Sequence, residues 1–183
     1  TPVMTSDQTA RPTVYFTPYN GDVIPIYDGT RMVPTVFTEL SLALDSNSGH
    51  TGYHQSGKNF DCFVVNDAGT IRLGTGPAWS SDTARGTGAG TTELEMVKGV
   101  YVNKVSMTLR FGSASGDTVT VAAQRGTYVG TFRCSANGET QWKLGSAASG
   151  GGEAWLGVWN NFNRVEVAPQ SEDTVASYTY QST

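Results

Sequence analysis

The sequence predicts an all-β protein, an antiparallel β-sandwich of jelly-roll-like form with little helix and long loops rich in Gly, Ser and Thr. The chain of 183 residues has 22 glycines but only 38% apolar and 15% charged residues. This composition favours turns and short strands over helices. Short runs that alternate polar and apolar residues recur along the sequence, and Gly, Asn, Asp or Pro bounds them. A protein of this length suits one domain with one sizeable core.

The first predicted hairpin covers residues 13–27. Its corner is Asn20-Gly21, a dipeptide that favours a type I′ turn because both central residues of that turn need positive φ. Asp28-Gly29 marks a further turn directly after it. Pro18 and Pro25 cannot donate a hydrogen bond to a strand ladder, so we expect this hairpin at a sheet edge or near the strand ends.

Two more hairpins are predicted further along the sequence. Asn66-Asp67-Ala68-Gly69 has the pattern of a type I turn followed by a glycine in the left-handed region, as in a G1 bulge. Residues 117–134 alternate on both sides of Arg125-Gly126, which we expect at the corner of a third hairpin. The segment TELSLALD, residues 38–45, has partial helical spacing, but its alternation favours a strand.

The whole set of predicted strands is residues 13–19, 22–27, 38–44, 60–66, 70–73, 99–110, 117–123, 127–134, 153–158 and 163–168.

A single β-sandwich domain is predicted over residues 13–168, with an N-terminal extension at 1–12 and a C-terminal tail at 169–183. Because the sequence does not begin with Met, we expect a piece or a processed form of a longer polypeptide. Residues 45–59 and 74–92 are predicted as long loops, and loops of such length are usually binding elements or mobile segments.

Charge and hydropathy argue against several classes of partner. The formal net charge is −4 and the 12 Lys and Arg residues are scattered, so no nucleic-acid partner is expected. No stretch approaches the roughly 18 apolar residues that a membrane span needs, so no membrane insertion is expected. The sequence lacks GxSxG, HExxH, phosphate-loop and dinucleotide-binding motifs, and we predict no cofactor.

The cysteines and histidines do not form a metal-ligating pattern. Cys62 and Cys134 have no CxxC spacing, and each lies in an apolar run, so both are predicted to be buried free thiols rather than a disulfide. His50 and His54 are four residues apart, but the glycines around them argue against a helix that would place both on one face. We therefore predict solvated loop histidines and no metal site.

Carboxylates for glycoside cleavage could be drawn from five positions, but linear spacing does not report the distance between two acids. Glu93 and Glu95, two residues apart, are expected on one solvated strand face. No catalytic residue is predicted. The five positions are Asp28, Asp61, Glu93, Glu95 and Glu153.

The tryptophans differ in their sequence context. Trp155 and Trp159 lie in an aromatic stretch and are predicted to be core residues, while Trp142 is intermediate. Trp79 follows Pro77 in a Gly-rich loop, where it offers a stacking platform for sugar rings, forms a hydrophobic contact with another subunit, or folds back onto the sheet. Trp79, together with Tyr53 and His54 of the other long loop, is the predicted ligand-binding set.

Several strings in collinear order resemble a module of tailed-phage and prophage virion proteins of the tail-fibre or minor-tail kind. The resemblance covers about residues 13–167, and its strings are YFTPYNGDVIPIYDGTR, TELSLALD, DCFVVNDAGTIRLGTGPAW, ARGTGAGTTELEMVKGVYVN, GDTVTVAAQRGTYVGTFR and LGVWNNFNRVEV.

The resemblance implies a non-enzymatic structural or host-recognition domain on the surface of a virion, made in the host cytoplasm. Its implied partners are other virion proteins, further copies of the same protein, in some fibres as a trimer, and a glycan of the host cell surface. A capsid-decoration or head-fibre protein is the first alternative. A glycan-degrading depolymerase is the second, although the sequence lacks the period of roughly 20 to 50 residues that solenoid enzymes of this kind show.

Overall fold

The structure, a computed structural model, describes residues 6–145 and 153–161. Within these ranges the protein forms strands joined by turns and loops, and no helix. The strands are β1 (Gln8–Arg11), β2 (Thr13–Phe16), β3 (Val23–Tyr27), β4 (Met32–Val36), β5 (Leu40–Ala43), β6 (Asn59–Asp67), β7 (Thr70–Ala78), β8 (Leu94–Val97), β9 (Val100–Asn103), β10 (Met107–Arg110), β11 (Thr118–Val121), β12 (Gly126–Ala136), β13 (Glu139–Lys143), β14 (Trp155–Leu156) and β15 (Val158–Asn160).

One large antiparallel sheet dominates the structure. Its main path runs in the order β1-β13-β12-β6-β7-β10-β11, with β14 on β13, β15 on β12, and the β8–β9 pair joined to β12 through β9. Two small antiparallel sheets, β2–β5 and β3–β4, complete the set. The predicted all-β, sandwich-like fold class is therefore confirmed.

The central strand β6 is buried on both faces, and its residues alternate between two apolar clusters. Phe60, Cys62 and Val64 enter the larger cluster, which the two small sheets cover with residues such as Leu42 and Ile24. In the fully buried middle of this strand, the alternation is the pattern expected for a pleated strand between two layers.

The second cluster forms on the opposite face of β6. It contains Phe63, Tyr128 of β12, and Met107 of β10. Met107 belongs to a strand that lies beyond β6 and β7 in the sheet, yet its Cε would be 3.4 Å from a Cβ at Gly126 of β12. The sheet therefore curves over its own face and encloses a second core.

Two predicted turns lie where the sequence places them. Asp28-Gly29 opens the turn of the β3–β4 hairpin, where the Asp28 N–H donates to the Arg31 carbonyl at 3.0 Å and Gly29 has φ of 101°. The β6–β7 hairpin turns at Ala68-Gly69, with Asp67 opposite Thr70. Ala68 (φ 48°) and Gly69 (φ 95°) are both left-handed, so this is a two-residue turn of the I′ kind rather than the predicted type I turn with a bulge.

The prediction of a hairpin over residues 13–27 is wrong. β2 pairs with β5, with Val14 opposite Leu42, and β3 pairs with β4. Gly21 is not among the glycines with positive φ, so Asn20-Gly21 forms no type I′ turn. Val14 and Leu42 are both buried in the larger cluster, and this shared burial outweighs the local turn preference.

The predicted hairpin over 117–134 is also wrong, because β11 pairs with β10 in full register from Met107–Val121 to Arg110–Thr118. The predicted strand 99–110 is split into β9 and β10. Strands β1, β4, β8 and β13 are additions to the predicted set, and β1 lies inside the predicted N-terminal extension. The predicted strand at 163–168 and the predicted tail at 169–183 lie outside the described residues.

The second long loop is shorter than the predicted range 74–92, because β7 continues to Ala78. Gly74 belongs to the strand, and a Cβ there would lie 2.7 Å from the Arg110 carbonyl oxygen. This glycine therefore permits close packing of β10 instead of marking a loop. We name residues 44–58 the first loop and residues 79–93 the second loop.

The described part of the protein has no helix with the length and apolar character that a bilayer crossing requires.

Candidate functional site

An open cleft of about 230 Å³ lies at the connection between β2 and β3. Phe16 and Phe37 form one part of its lining, with ring centroids 5.0 Å apart and planes 15° apart. Tyr19 and Asn20, from the connection between the two strands, form another part. The connection is free to line a cleft because β2 and β3 do not pair with each other.

The chemistry of this cleft combines a flat exposed ring with polar groups. Tyr19 is 62% exposed, and the Thr17 hydroxyl donates to Glu39 Oε2 at 2.8 Å at the same rim. Pockets that bind small polar ligands pair apolar or aromatic walls with a few placed hydrogen-bonding groups. The cleft can therefore take a ligand that presents both an apolar face and hydroxyl groups.

A buried polar cluster anchors the first loop. Asp45, His54 and Arg110 are each at most 2% exposed. Arg110 Nη1 lies 3.0 Å from Asp45 Oδ2, and the Arg110 guanidinium also donates to the Thr51 carbonyl. His50 Nδ1 lies 2.9 Å from the same carboxylate oxygen. The cluster ties the start and the middle of the loop to Arg110 of β10.

His54 has a single tautomer in this arrangement. Its Nδ1 accepts the Asp45 N–H at 2.7 Å, so Nε2 carries the proton and donates to Thr75 Oγ1 at 3.0 Å. Burial, and then the neighbouring Arg110 charge, lowers the pKa of His54 from 6.5 to about 4. His54 is therefore neutral at pH 7 and fully bonded within the protein.

The prediction that both loop histidines are solvated is wrong for His54, which is fully buried. A cluster that contains a carboxylate, a histidine and a hydroxyl group has the residue types of a nucleophilic catalytic triad. The acid contacts His50, however, while the hydroxyl contacts His54, and Thr75 is also fully buried. A hydroxyl group that is fully buried cannot contact a substrate, so we interpret the cluster as a structural anchor of the first loop.

A second polar cluster, centred on a buried carboxylate, anchors the second loop. Asp61, which is fully buried, binds Arg85 through Nε at 2.6 Å and Nη2 at 3.2 Å. Thr131 donates to Asp61 Oδ1 at 2.6 Å. The Arg85 guanidinium also lies 4.4 Å from the ring centroid of Trp79, a cation–π distance. Buried charge pairs are costly to break because the remaining charge is left without a partner.

The predicted ligand set does not come together. His54 packs against Phe60 of the larger cluster, whereas Trp79 packs against Arg85, which also lies over the Tyr128 ring of the second cluster. These contacts belong to opposite faces of the sheet. Tyr53 is half-buried, and none of the three residues lines the cleft at β2 and β3.

The candidate carboxylates also have separate partners. Asp28 accepts the Thr30 and Arg31 N–H groups, and these bonds, Arg31 first, lower its pKa. Glu93 binds Lys104 Nζ at 2.6 Å and accepts the Gly88 N–H, and both bonds lower its pKa.

Among the remaining carboxylates, Glu95 accepts from Gln124 at 2.9 Å, Asp61 belongs to the anchor of the second loop, and Glu153 is exposed. Within residues 6–145 and 153–161, no group of three or more His, Cys, Asp and Glu residues is arranged to hold a metal ion.

The remaining predictions have mixed outcomes. Cys62 and Cys134 are buried free thiols, as predicted. Trp159 is 46% exposed, so its prediction as a core residue is wrong. Trp155 and Trp142 are half-buried. On β15, Val158 packs against the larger cluster, whereas Trp159 lies opposite Thr131 of β12 and remains largely exposed.

Sequence analysis missed the cleft because it treated Asn20-Gly21 as a tight turn between the predicted strands 13–19 and 22–27. Pro18 was the available signal, because a proline there interrupts the ladder that a hairpin needs. The sequence Thr17 to Asn20 then places an aromatic ring between polar residues in a loop. Such a loop is better suited to contact a ligand than to fix the register of two paired strands.

No family model, no curated protein and no solved structure matches this sequence.

Proposed function

We propose that the protein is a non-enzymatic structural and host-recognition module of a phage virion, of the tail-fibre or minor-tail kind. The collinear sequence resemblance suggests the virion. The observation that carries the role is the anchoring of both long loops by ion pairs to buried carboxylates, Asp45–Arg110 and Asp61–Arg85. Internally satisfied polar networks hold a surface in one shape, and a fixed surface suits contact with another macromolecule.

The contact surface that we propose for the host is the cleft around Tyr19, and the ligand class is a cell-surface glycan. A sugar has an apolar C–H face that can lie on the exposed Tyr19 ring, and hydroxyl groups that can meet the polar atoms of Thr17 and Asn20. This proposal replaces the predicted set of Trp79, Tyr53 and His54.

Association with further copies of the protein or with other virion proteins is the second part of the proposal. Val23 and Val36 are directly opposite each other in the β3–β4 sheet and are 52% and 65% exposed. Exposed apolar pairs on a small edge sheet gain from being covered by a neighbour, and closed symmetry, as in a trimer, is a common way to cover them.

The experiment combines light scattering with binding to cells of the bacterial host. We expect an oligomer that binds cells, and we expect Tyr19→Ala to weaken binding by at least about tenfold, or ~1.4 kcal/mol. Tyr15→Ala is the matched control, because Tyr15 is 60% exposed but does not line the cleft. A monomer that binds no cell, or equal losses in both variants, would contradict the proposal.

Two further assays separate the alternatives. Antibody labelling of intact particles distinguishes a tail position from the head position that a capsid-decoration or head-fibre protein would have. An assay for released reducing ends on capsular and lipopolysaccharide glycans detects a depolymerase, and we expect no release.

A further inference from the structure

The sequence contains two Asn-Gly dipeptides, Asn20-Gly21 and Asn137-Gly138. In this dipeptide the backbone nitrogen of the glycine can reach Cγ of the asparagine with little steric hindrance, because glycine has no Cβ. The structure holds the two dipeptides in opposite situations, which makes each one a control for the other.

Asn137-Gly138 is fixed by two hydrogen bonds. Asn137 Oδ1 accepts the Ser56 N–H at 2.8 Å, and the Gly138 N–H donates to the His54 carbonyl at 2.7 Å. Gly138 is also buried, and a Cβ there would lie 2.7 Å from the Ser46 nitrogen. The Gly138 nitrogen therefore cannot turn toward Cγ of Asn137 without breaking its hydrogen bond to the His54 carbonyl of the first loop.

Asn20-Gly21 is open on all sides. Both residues are exposed, and a Cβ at Gly21 would have no atom within 4 Å. Over residues 6–145 and 153–161, neither the Gly21 N–H nor the Asn20 carboxamide has a hydrogen-bond partner. Nothing in this part of the protein holds the nucleophile away from the amide carbon.

We propose that Asn20 is a site of spontaneous deamidation, while Asn137 is protected by the fold. The deprotonated Gly21 nitrogen attacks Asn20 Cγ, a new bond between these two atoms closes a five-membered imide, and the bond from Cγ to Nδ2 breaks. Ammonia leaves with the proton that the backbone nitrogen lost. Water then opens the imide at either carbonyl, which gives aspartate or isoaspartate at residue 20, so the sum is amide plus water to carboxylic acid plus ammonia.

The modification changes the cleft in two ways. Asn20 lines the cleft, so the product places a carboxylate beside the Tyr19 ring and adds one negative charge to a protein whose formal net charge is −4. The isoaspartate product also adds one methylene to the backbone between β2 and β3, which shifts the residues of the cleft. The inference does not depend on the proposed virion role.

The test is peptide mapping by mass spectrometry after the folded protein has been incubated in mildly alkaline buffer. We expect the Asn20 peptide to gain the mass difference between NH₂ and OH at least about tenfold faster than the Asn137 peptide. In denaturant, where the fold no longer protects Asn137, we expect the two rates to become similar. Similar rates in the folded protein, or no conversion of Asn20 while both sites convert in denaturant, would overturn the inference.

Gly21→Ala is the matched variant. The structure leaves open space for its methyl group, and the backbone there is not left-handed, so the variant keeps the fold and its unfolding midpoint. The methyl group hinders the attacking nitrogen, so we expect deamidation of residue 20 to slow at least about tenfold. An unchanged rate in this variant would also overturn the inference.

Discussion

At the scale of single residues, burial decides what His54 does. The same imidazole in a Gly-rich loop would be a solvated base, but here both ring nitrogens are bonded and the ring packs against Phe60 and Phe132. An uncharged histidine in this position serves the same purpose as a buried amide: it satisfies one donor and one acceptor inside the core.

The lowered pKa of His54 predicts acid sensitivity. The folded protein keeps His54 neutral down to about pH 4, whereas the unfolded protein binds the proton near 6.5. The contribution of His54 to the free energy of unfolding is therefore complete above about pH 6.5. As the pH falls from 6.5 toward 4, the free energy of unfolding decreases by about 3 kcal/mol. Urea unfolding of the native protein at both ends of this range measures the loss.

Two variants test the assignment of this pH dependence. His54→Gln cannot titrate, so its free energy of unfolding should fall less than that of the native protein between pH 6.5 and about 4. Thr75→Val removes the hydroxyl but keeps the imidazole, so it should be less stable at both pH values and keep the dependence. Equal pH dependence in His54→Gln and the native protein would show that another group is responsible.

At the scale of elements, turns specify register only where the flanking strands pair. Gly69 connects β6 and β7, whose ladder runs from Asp67–Thr70 to Phe60–Ala78. Gly21, by contrast, follows a strand that pairs elsewhere. The same kind of glycine corner therefore fixes register in one place and only permits a loop in the other.

This difference predicts unequal effects of the same substitution. Gly69→Val forces a β-branched residue into φ of 95° and should lower the free energy of unfolding by about 1 to 3 kcal/mol. At Gly21 the backbone is not left-handed and a Cβ has no atom within 4 Å, so the effect of Gly21→Val should stay within about 0.5 kcal/mol. Thermal or urea unfolding of both variants measures the difference, and equal losses would contradict the turn assignment.

At the scale of the whole molecule, β6 and β12 lie at the centre of both cores. Successive residues along each strand enter opposite clusters: Val64 of β6 enters the larger cluster, and Phe63 of the same strand enters the second cluster. Burial on both faces couples the two clusters, so opening one exposes the other. We expect one cooperative unfolding transition.

The two thiols report on this cooperativity. Burial raises the pKa of Cys134 to about 12, and burial followed by the nearby Asp61 charge raises the pKa of Cys62 even further. Because only the thiolate attacks a disulfide reagent, both thiols should react only when the whole domain unfolds. Labelling by an aromatic disulfide across a urea gradient should follow the same transition as tryptophan fluorescence, and rapid labelling of either thiol in the native protein would contradict this view.

The sequence by itself determined the fold class, the positions of the β6–β7 and β3–β4 turns, and the burial of both cysteines. These features depend on local chemistry: glycine and aspartate at a corner, alternation along a strand, and an apolar run around a thiol. Each signal lies within about ten residues, so a single short segment contains it.

Only the tertiary structure decided which strands pair, which loop residues are buried, and where the cleft lies. β2 pairs with β5 rather than with its neighbour β3, and β11 pairs with β10 rather than with β12, because shared burial of Val14 with Leu42, and of Val121 with Met107, outweighs the propensity of a local turn. The ion pairs beside His54 and Trp79, Asp45–Arg110 and Asp61–Arg85, join residues far apart in the sequence. The spacing of two residues along the sequence does not determine the distance between them in the fold, so the site is evident only from the tertiary structure.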